Sequence, residues 1–144
     1  MSQIDLGQVA ATVTTGTTTT GAYGTQASVS NSGTTQNAVF NFTIPSANYP
    51  IVNQTSSSTS ISPGCLNVWG EVSSLSITLA TPTDATIVNE YMIQFESGST
   101  ATTLSMPSSV EWAESCGSLS VEANKTYQIS IVNNIGLWAA IANS

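Results

Sequence analysis

The sequence predicts an all-β chain: a small N-terminal β module followed by an antiparallel, jelly-roll-like β-sandwich domain. Three observations carry this. Apolar and polar residues alternate with period two in most ordered-looking segments, as half-buried strands require. Thr, Val and Ile, whose branched side chains suit a pleated surface, are abundant. Gly or Pro interrupts every stretch that might hold a helical stripe, and the interruptions fall between the alternating runs.

The first element is "VTTGTTTTGAYGT" at 13–25, which reads either as a Thr-rich disordered tract or as folded β structure. It leads into alternating "ASVSNSG" (27–33) and "NAVFNFTIP" (37–45), so the folded reading is favoured. Strands paired with each other are expected at Val13 and Thr14 and at 26–30, with Gly16 to Gly24 as the loop between them. In the third run Val39 faces away from Phe40, Phe42 and Ile44. "LNVWGEV" (66–72), "LSITLA" (75–80), "EYMIQFE" (90–96) and "TYQISIVN" (126–133) alternate in turn. In the last, Tyr127, Ile129 and Ile131 share one face, with Gln128 and Ser130 on the other. Turn signals stand at 30–33, 62–64, 81–84, 97–99 and 133–136, and the final two runs, "TYQISIV" and "GLWAAIA", form a closing hairpin.

Between Pro45 and Gly64 the composition shifts to Ser and Thr, with Pro45, Pro50 and Pro63 around them. This segment offers little to bury, which divides the chain into a module at 1–45, a linker at 46–63 and a β-sandwich at 64–144. The competing reading is one sandwich with a long surface loop. A unit of about 45 residues lies near the size below which a disulfide, a metal or oligomerisation is usually needed. The module has no pair of cysteines and no metal-ligand cluster, so its strands are expected to bury against other copies.

Charge excludes whole classes of partner. One cation, Lys125, stands against eight carboxylates in 144 residues, giving a net charge of −7 with no Arg and no His. Nucleic acid and anionic membrane surfaces demand Lys and Arg, and neither is expected as a partner. Without His, Ser-His and Cys-His nucleophiles and the common zinc sets are missing. No phosphate-cradling glycine loop occurs, and Glu111 and Glu114 are neighbours on one short segment, where carboxylates rarely face each other across a glycoside. No catalytic residue, metal or cofactor is expected. Trp69 and Trp112 are candidate stacking platforms for a sugar, with core packing as the competing reading. Trp138, in "LWAAIA", is placed in an interchain contact with Leu137 and Ile141, alongside Phe40, Phe42 and Ile44 of the module. Cys65 and Cys116 lack metal or redox spacing and read as free, small hydrophobes. "MSQIDLG" lacks the basic and apolar regions of a secretory leader, so the chain is expected to be made in a cytosol.

Two blocks resemble known proteins. "ATVTTGTTTTGAYGTQASVSNSGTTQNAVFNFTIP" (11–45) resembles a module of phage and prophage fibre proteins of intestinal bacteria, where it often precedes a collagen-like Gly-x-y tract. "NEYMIQFESGSTATTLSMPSSVEWAESCGSLSVEANKTYQISIVNN" (89–134) is similar to the C-terminal domain of phage head-fibre and tail-fibre-like proteins. It joins Pro107, Val110 and Trp112 to the closing strand, and it is the more specific of the two. The Gly-x-y repeat is replaced here by "SANYPIVNQTSSSTS", so any trimer must be held by β structure. The resemblance implies a virion structural protein: a head fibre or decoration protein, homotrimeric, made in the host bacterial cytoplasm and located in the virion. Its N-terminal segment, with Ile4, Asp5 and Leu6, would attach to the major capsid protein or another virion protein. The alternative is a tail-fibre adhesin domain that recognises host-surface glycans.

Overall fold

The computed structural model describes residues 11–143, all β strand, turn and loop, with no helix among them. The chain divides into two compact units, with the boundary between Asn48 and Tyr49.

The described part of the first unit is one three-stranded sheet. Its strands are β1 (Thr12–Gly21), β2 (Ser28–Asn31) and β3 (Asn37–Pro45), in the order β1-β3-β2. β2 and β3 are antiparallel, whereas β1 runs parallel to β3. The Thr-rich tract is therefore strand through most of its length. Gly16 to Gly21 belong to β1, so the loop expected at 16–24 begins only after Gly21, and β1 pairs with β3 rather than with the strand that follows it. β-branched threonines favour extended backbone, which outweighed the glycines. The register slips once, between Thr15 and Thr18. At that bulge a side chain on Gly16 would collide with Asn41 Oδ1 and with the Phe40 carbonyl oxygen at 2.7 Å, so only glycine fits. Asn41 Oδ1 takes the vacant space and accepts from the Thr17 N–H (2.9 Å) and hydroxyl (3.1 Å).

The second unit is two-layered. It contains β4 (Ile51–Asn53), β5 (Ser58–Ile61), β6 (Leu66–Glu71), β7 (Ser74–Leu79), β8 (Glu90–Ser97) and β9 (Thr103–Ser105), then β10 (Glu111–Trp112), β11 (Lys125–Val132) and β12 (Ile135–Ala142). One sheet has six strands in the order β10-β12-β11-β8-β6-β4, and the other has three, β5-β7-β9. From β4 to β9 the chain alternates between the sheets, and each strand lies parallel to the previous strand of its own sheet. The result is three turns of a flattened coil. The expected antiparallel, jelly-roll-like pairing is thus corrected over this stretch; it holds for β8, β11 and β12. The reason is geometric. The turn signals at 62–64, 81–84 and 97–99 are corners that carry the chain to the other sheet, not hairpins that fold it back on the same one. The hairpin expected near 133–136 is real: Asn133 and Asn134 both have positive φ (50° and 64°), as a two-residue type I′ turn requires.

The supposed linker is corrected as well. Within 46–63, β4 pairs with β6 and β5 with β7, and Ile61 lies in the core. In β5 serine and threonine supply all but Ile61, and β4 is only three residues long with none of them buried, so composition hid both strands. The core gathers Ile61, Trp69, Leu75, Ile77, Tyr91, Ile93, Phe95, Tyr127, Ile129 and Ile131. The facing expected for Tyr127, Ile129 and Ile131 is observed. Phe95 and Tyr127 stack with centroids 5.2 Å apart, and Trp138 tilts against Tyr127 at 6.2 Å. Buried polar groups are paired: Asn67 donates to the Met92 carbonyl (3.3 Å) and accepts from Gln54 (2.8 Å), and Thr102 donates to the Val72 carbonyl (2.6 Å).

Candidate assembly surfaces

No described residue of the first unit is buried. Its two faces differ sharply, and the register shows why. Pairing places Val13 beside Ala38, Thr15 beside Phe40, Thr18 and Val29 beside Phe42, and Thr20 beside Ile44, all on one face. The opposite face is a ladder of hydroxyls and amides. Thr12 donates to Asn37 (2.5 Å), Thr19 and Thr43 hydroxyls meet at 3.2 Å, and Asn41 donates to Ser32 (2.9 Å). The apolar face has no such closure: Phe40, Phe42 and Ile44 are 37%, 42% and 55% exposed, and Val13 and Val29 more so. No charged residue occurs between Asp5 and Glu71, so nothing on either face repels a like surface. These three β3 residues are the ones that sequence reasoning placed in an interface.

In the second unit the expected interface residues divide. Leu137 (50% exposed) and Ile141 (70%) point outward from β12. Trp138 does not: it turns inward against Tyr127, and its indole N–H donates to the Gly117 carbonyl at 3.2 Å. Period two puts it on the other face from its neighbours. Cross-strand register aligns Leu137, Ser130, Met92, Leu66 and Ile51 in one transverse row on the outer face of the large sheet. A shallow groove of about 380 Å³ runs along it, bounded by Leu66, Met92, Leu137 and Ala139. Its polar side chains are tied down, Ser130 to Glu90 (2.6 Å) and Gln128 to Gln94 (2.8 Å).

Of the two stacking candidates, Trp69 is removed. It is 1% exposed, with its indole N–H donating to the Ser56 carbonyl at 2.8 Å, so no ring face is available to a ligand. Trp112 is half-buried on Gly136, where an added Cβ would sit 2.7 Å from the ring. Its ring borders a polar groove of about 370 Å³ that also touches Thr102, Met106 and Ser120. A larger groove, about 610 Å³, has a mixed lining of Ser, Thr and Asn with apolar residues such as Leu79, Ile87 and Met106, and the Tyr91 ring there is buried, its hydroxyl bonded to the Ala80 carbonyl (2.5 Å). Ile4, Asp5 and Leu6, the expected attachment residues, lie outside the described residues.

The titratable groups serve local structure. Asp84 accepts from the Thr86 hydroxyl (2.5 Å) and N–H (2.8 Å), which holds its carboxyl below the usual range. Lys125 donates to Glu122 at 2.8 Å, and that bond raises its pKa. Among the described residues, no three His, Cys, Asp or Glu side chains come together as a metal site would need. Cys65 and Cys116 are both free thiols.

Comparison with known proteins gives no match: no family model, no curated protein and no solved structure is similar to this chain.

Proposed function

We propose that this chain is a structural subunit that works as a homo-oligomer, a head fibre or decoration protein projecting from a phage capsid. The observation that carries the reading is the described part of the first unit: a one-layer sheet with an apolar face, no buried residue and no charged one. A sheet must bury its apolar face against another layer to be stable. Three copies packed around Phe40, Phe42 and Ile44 supply that layer for one another, in keeping with the trimer of the fibre-like blocks at 11–45 and 89–134. The compact second unit then forms the exposed part, with the N-terminal segment toward the major capsid protein. The virion is its location.

The test is the mass of the full chain by light scattering, alone and after incubation with capsids that lack it. An assembly whose mass is a multiple of three chains and that co-sediments with capsids supports the reading. A stable monomer without affinity for capsids contradicts it.

A second reading is an adhesin domain of a tail fibre, binding neutral host glycans. It now rests on Trp112 and its groove alone, since the burial of Trp69 removes the other platform. Loss of glycan-array binding in a folded Trp112→Ala variant would favour it.

A further inference from the structure

The closing hairpin fixes which backbone groups of β12 are in use. In a two-residue hairpin the residues flanking the turn, Val132 and Ile135, form a hydrogen-bonded pair, and such pairs alternate along the ladder. Ile135, Leu137, Ala139 and Ile141 therefore bond to β11. The N–H and C=O groups of Gly136, Trp138, Ala140 and Ala142 point the opposite way. Two bonds agree with this parity: the Gly136 carbonyl accepts from Ala113 on the far side, and Asn143 donates to Asn124 on the β11 side, both at 2.9 Å.

On the far side the partner strand stops early. β10 pairs with β12 only at Ile135 and Gly136, and the bond from Ala113 is the last backbone bond there among the described residues. The edge from 138 to 142 thus presents a row of donors and acceptors. Natural edge strands are blunted by lysine, proline, bulges or a covering loop. This one has no lysine or proline, its register with β11 is unbroken over eight residues, and no charged residue occurs after Lys125. Its outward side chains are Leu137, Ala139 and Ile141, continuous with the apolar row on the outer face.

We propose that two copies of the chain pair antiparallel along residues 138–142 of β12, merging their six-stranded sheets across a two-fold axis. The edge itself selects the occupant. A strand edge rotated about a two-fold axis meets its own donors and acceptors in register, which makes it self-complementary. The edge has no charge to choose an acidic or a basic strand, and the one lysine of the chain is already paired with Glu122. A neutral, apolar strand of the same length is the fitting partner, and β12 of a second copy is one. The pairing is independent of how many copies gather at the first unit, and of whether the chain belongs to a particle.

The experiment uses the full chain with the first unit disabled by Phe42→Asp. Light scattering of this variant should give twice the chain mass, and adding Ile141→Lys, which sets like charges near each other across the axis, should halve it. Both substitutions are at exposed positions, and an unchanged far-ultraviolet spectrum checks the fold. Hydrogen exchange of the otherwise unaltered chain provides a second readout. The amides of Trp138, Ala140 and Ala142 should be protected at high protein concentration and should lose at least tenfold of that protection in Ile141→Lys, while those of β8 are unchanged. A single-chain mass for Phe42→Asp would overturn the proposal, and so would rapid exchange of the three amides at concentrations where the chain is fully assembled.

Discussion

The two units are built from the same materials and reach opposite ends. Both are strand-rich, full of Ser and Thr, and poor in charge. The second buries ten hydrophobic side chains between two sheets, whereas the described part of the first buries none. The difference is the number of layers. Winding from sheet to sheet brings Ile61, Leu75 and Ile77 of the small sheet into one core with Trp69, Ile93 and Phe95 of the large one. β1, β2 and β3 stay in one plane, so Phe40, Phe42 and Ile44 face outward. Alternation identifies a strand's apolar face, but it does not say that this chain covers it.

Substitutions sharpen the contrast. The largest effect on stability is expected from Trp69→Ala, which empties the centre of the second unit and leaves the Ser56 carbonyl without its donor. Such truncations cost about 3–5 kcal/mol, read as a lower denaturation midpoint for the second unit. Phe42→Asp should do the reverse: the second unit melts as before, while the assembly weakens. Losing one buried aromatic contact of about 1.5–3 kcal/mol per copy corresponds to roughly a 10- to 100-fold rise in the dissociation constant, measurable by sedimentation. Asn133→Ala removes the short amide that lets asparagine tolerate φ 50° and should cost about 1 kcal/mol in the closing hairpin, seen by thermal melting. The smallest effect belongs to Glu122→Gln. Its bond with Lys125 is on the surface, where ion pairs contribute little. Because the bond raises the lysine pKa, its contribution is complete below the ordinary lysine value and disappears as pH rises through the raised one. Melts of the two proteins at neutral pH should differ barely, and at strongly alkaline pH not at all.

Particular residues show what the sequence could reveal. Tyr127, Ile129 and Ile131 are legible because each alternates with a polar neighbour and nothing competes for the inner face. Trp69 was ambiguous for a physical reason. "LNVWGEV" is apolar on both faces, and the face that turned inward carries the polar Asn67, whose amide is paired inside the sheet. The strands in 46–63 were hidden because serines pointing outward look like linker composition, although Ile61 was a signal that two-residue spacing could have found. Turn residues mark where strands end, yet a corner between sheets and a hairpin within one use the same Gly, Pro and Asn. That ambiguity turned an expected antiparallel sandwich into a parallel coil closed by one hairpin. In the expected interface set, Leu137 and Ile141 are exposed while Trp138 turns inward, a distinction of a single residue in register.

The proposed assembly requires that the second unit fold on its own and the first only in company. Amide hydrogen exchange of the full chain as a function of protein concentration tests it most directly. β8 and β11 should be protected at every concentration, whereas β3 should gain protection only as the oligomer forms. Full protection of β3 in a chain shown by light scattering to be monomeric would contradict it.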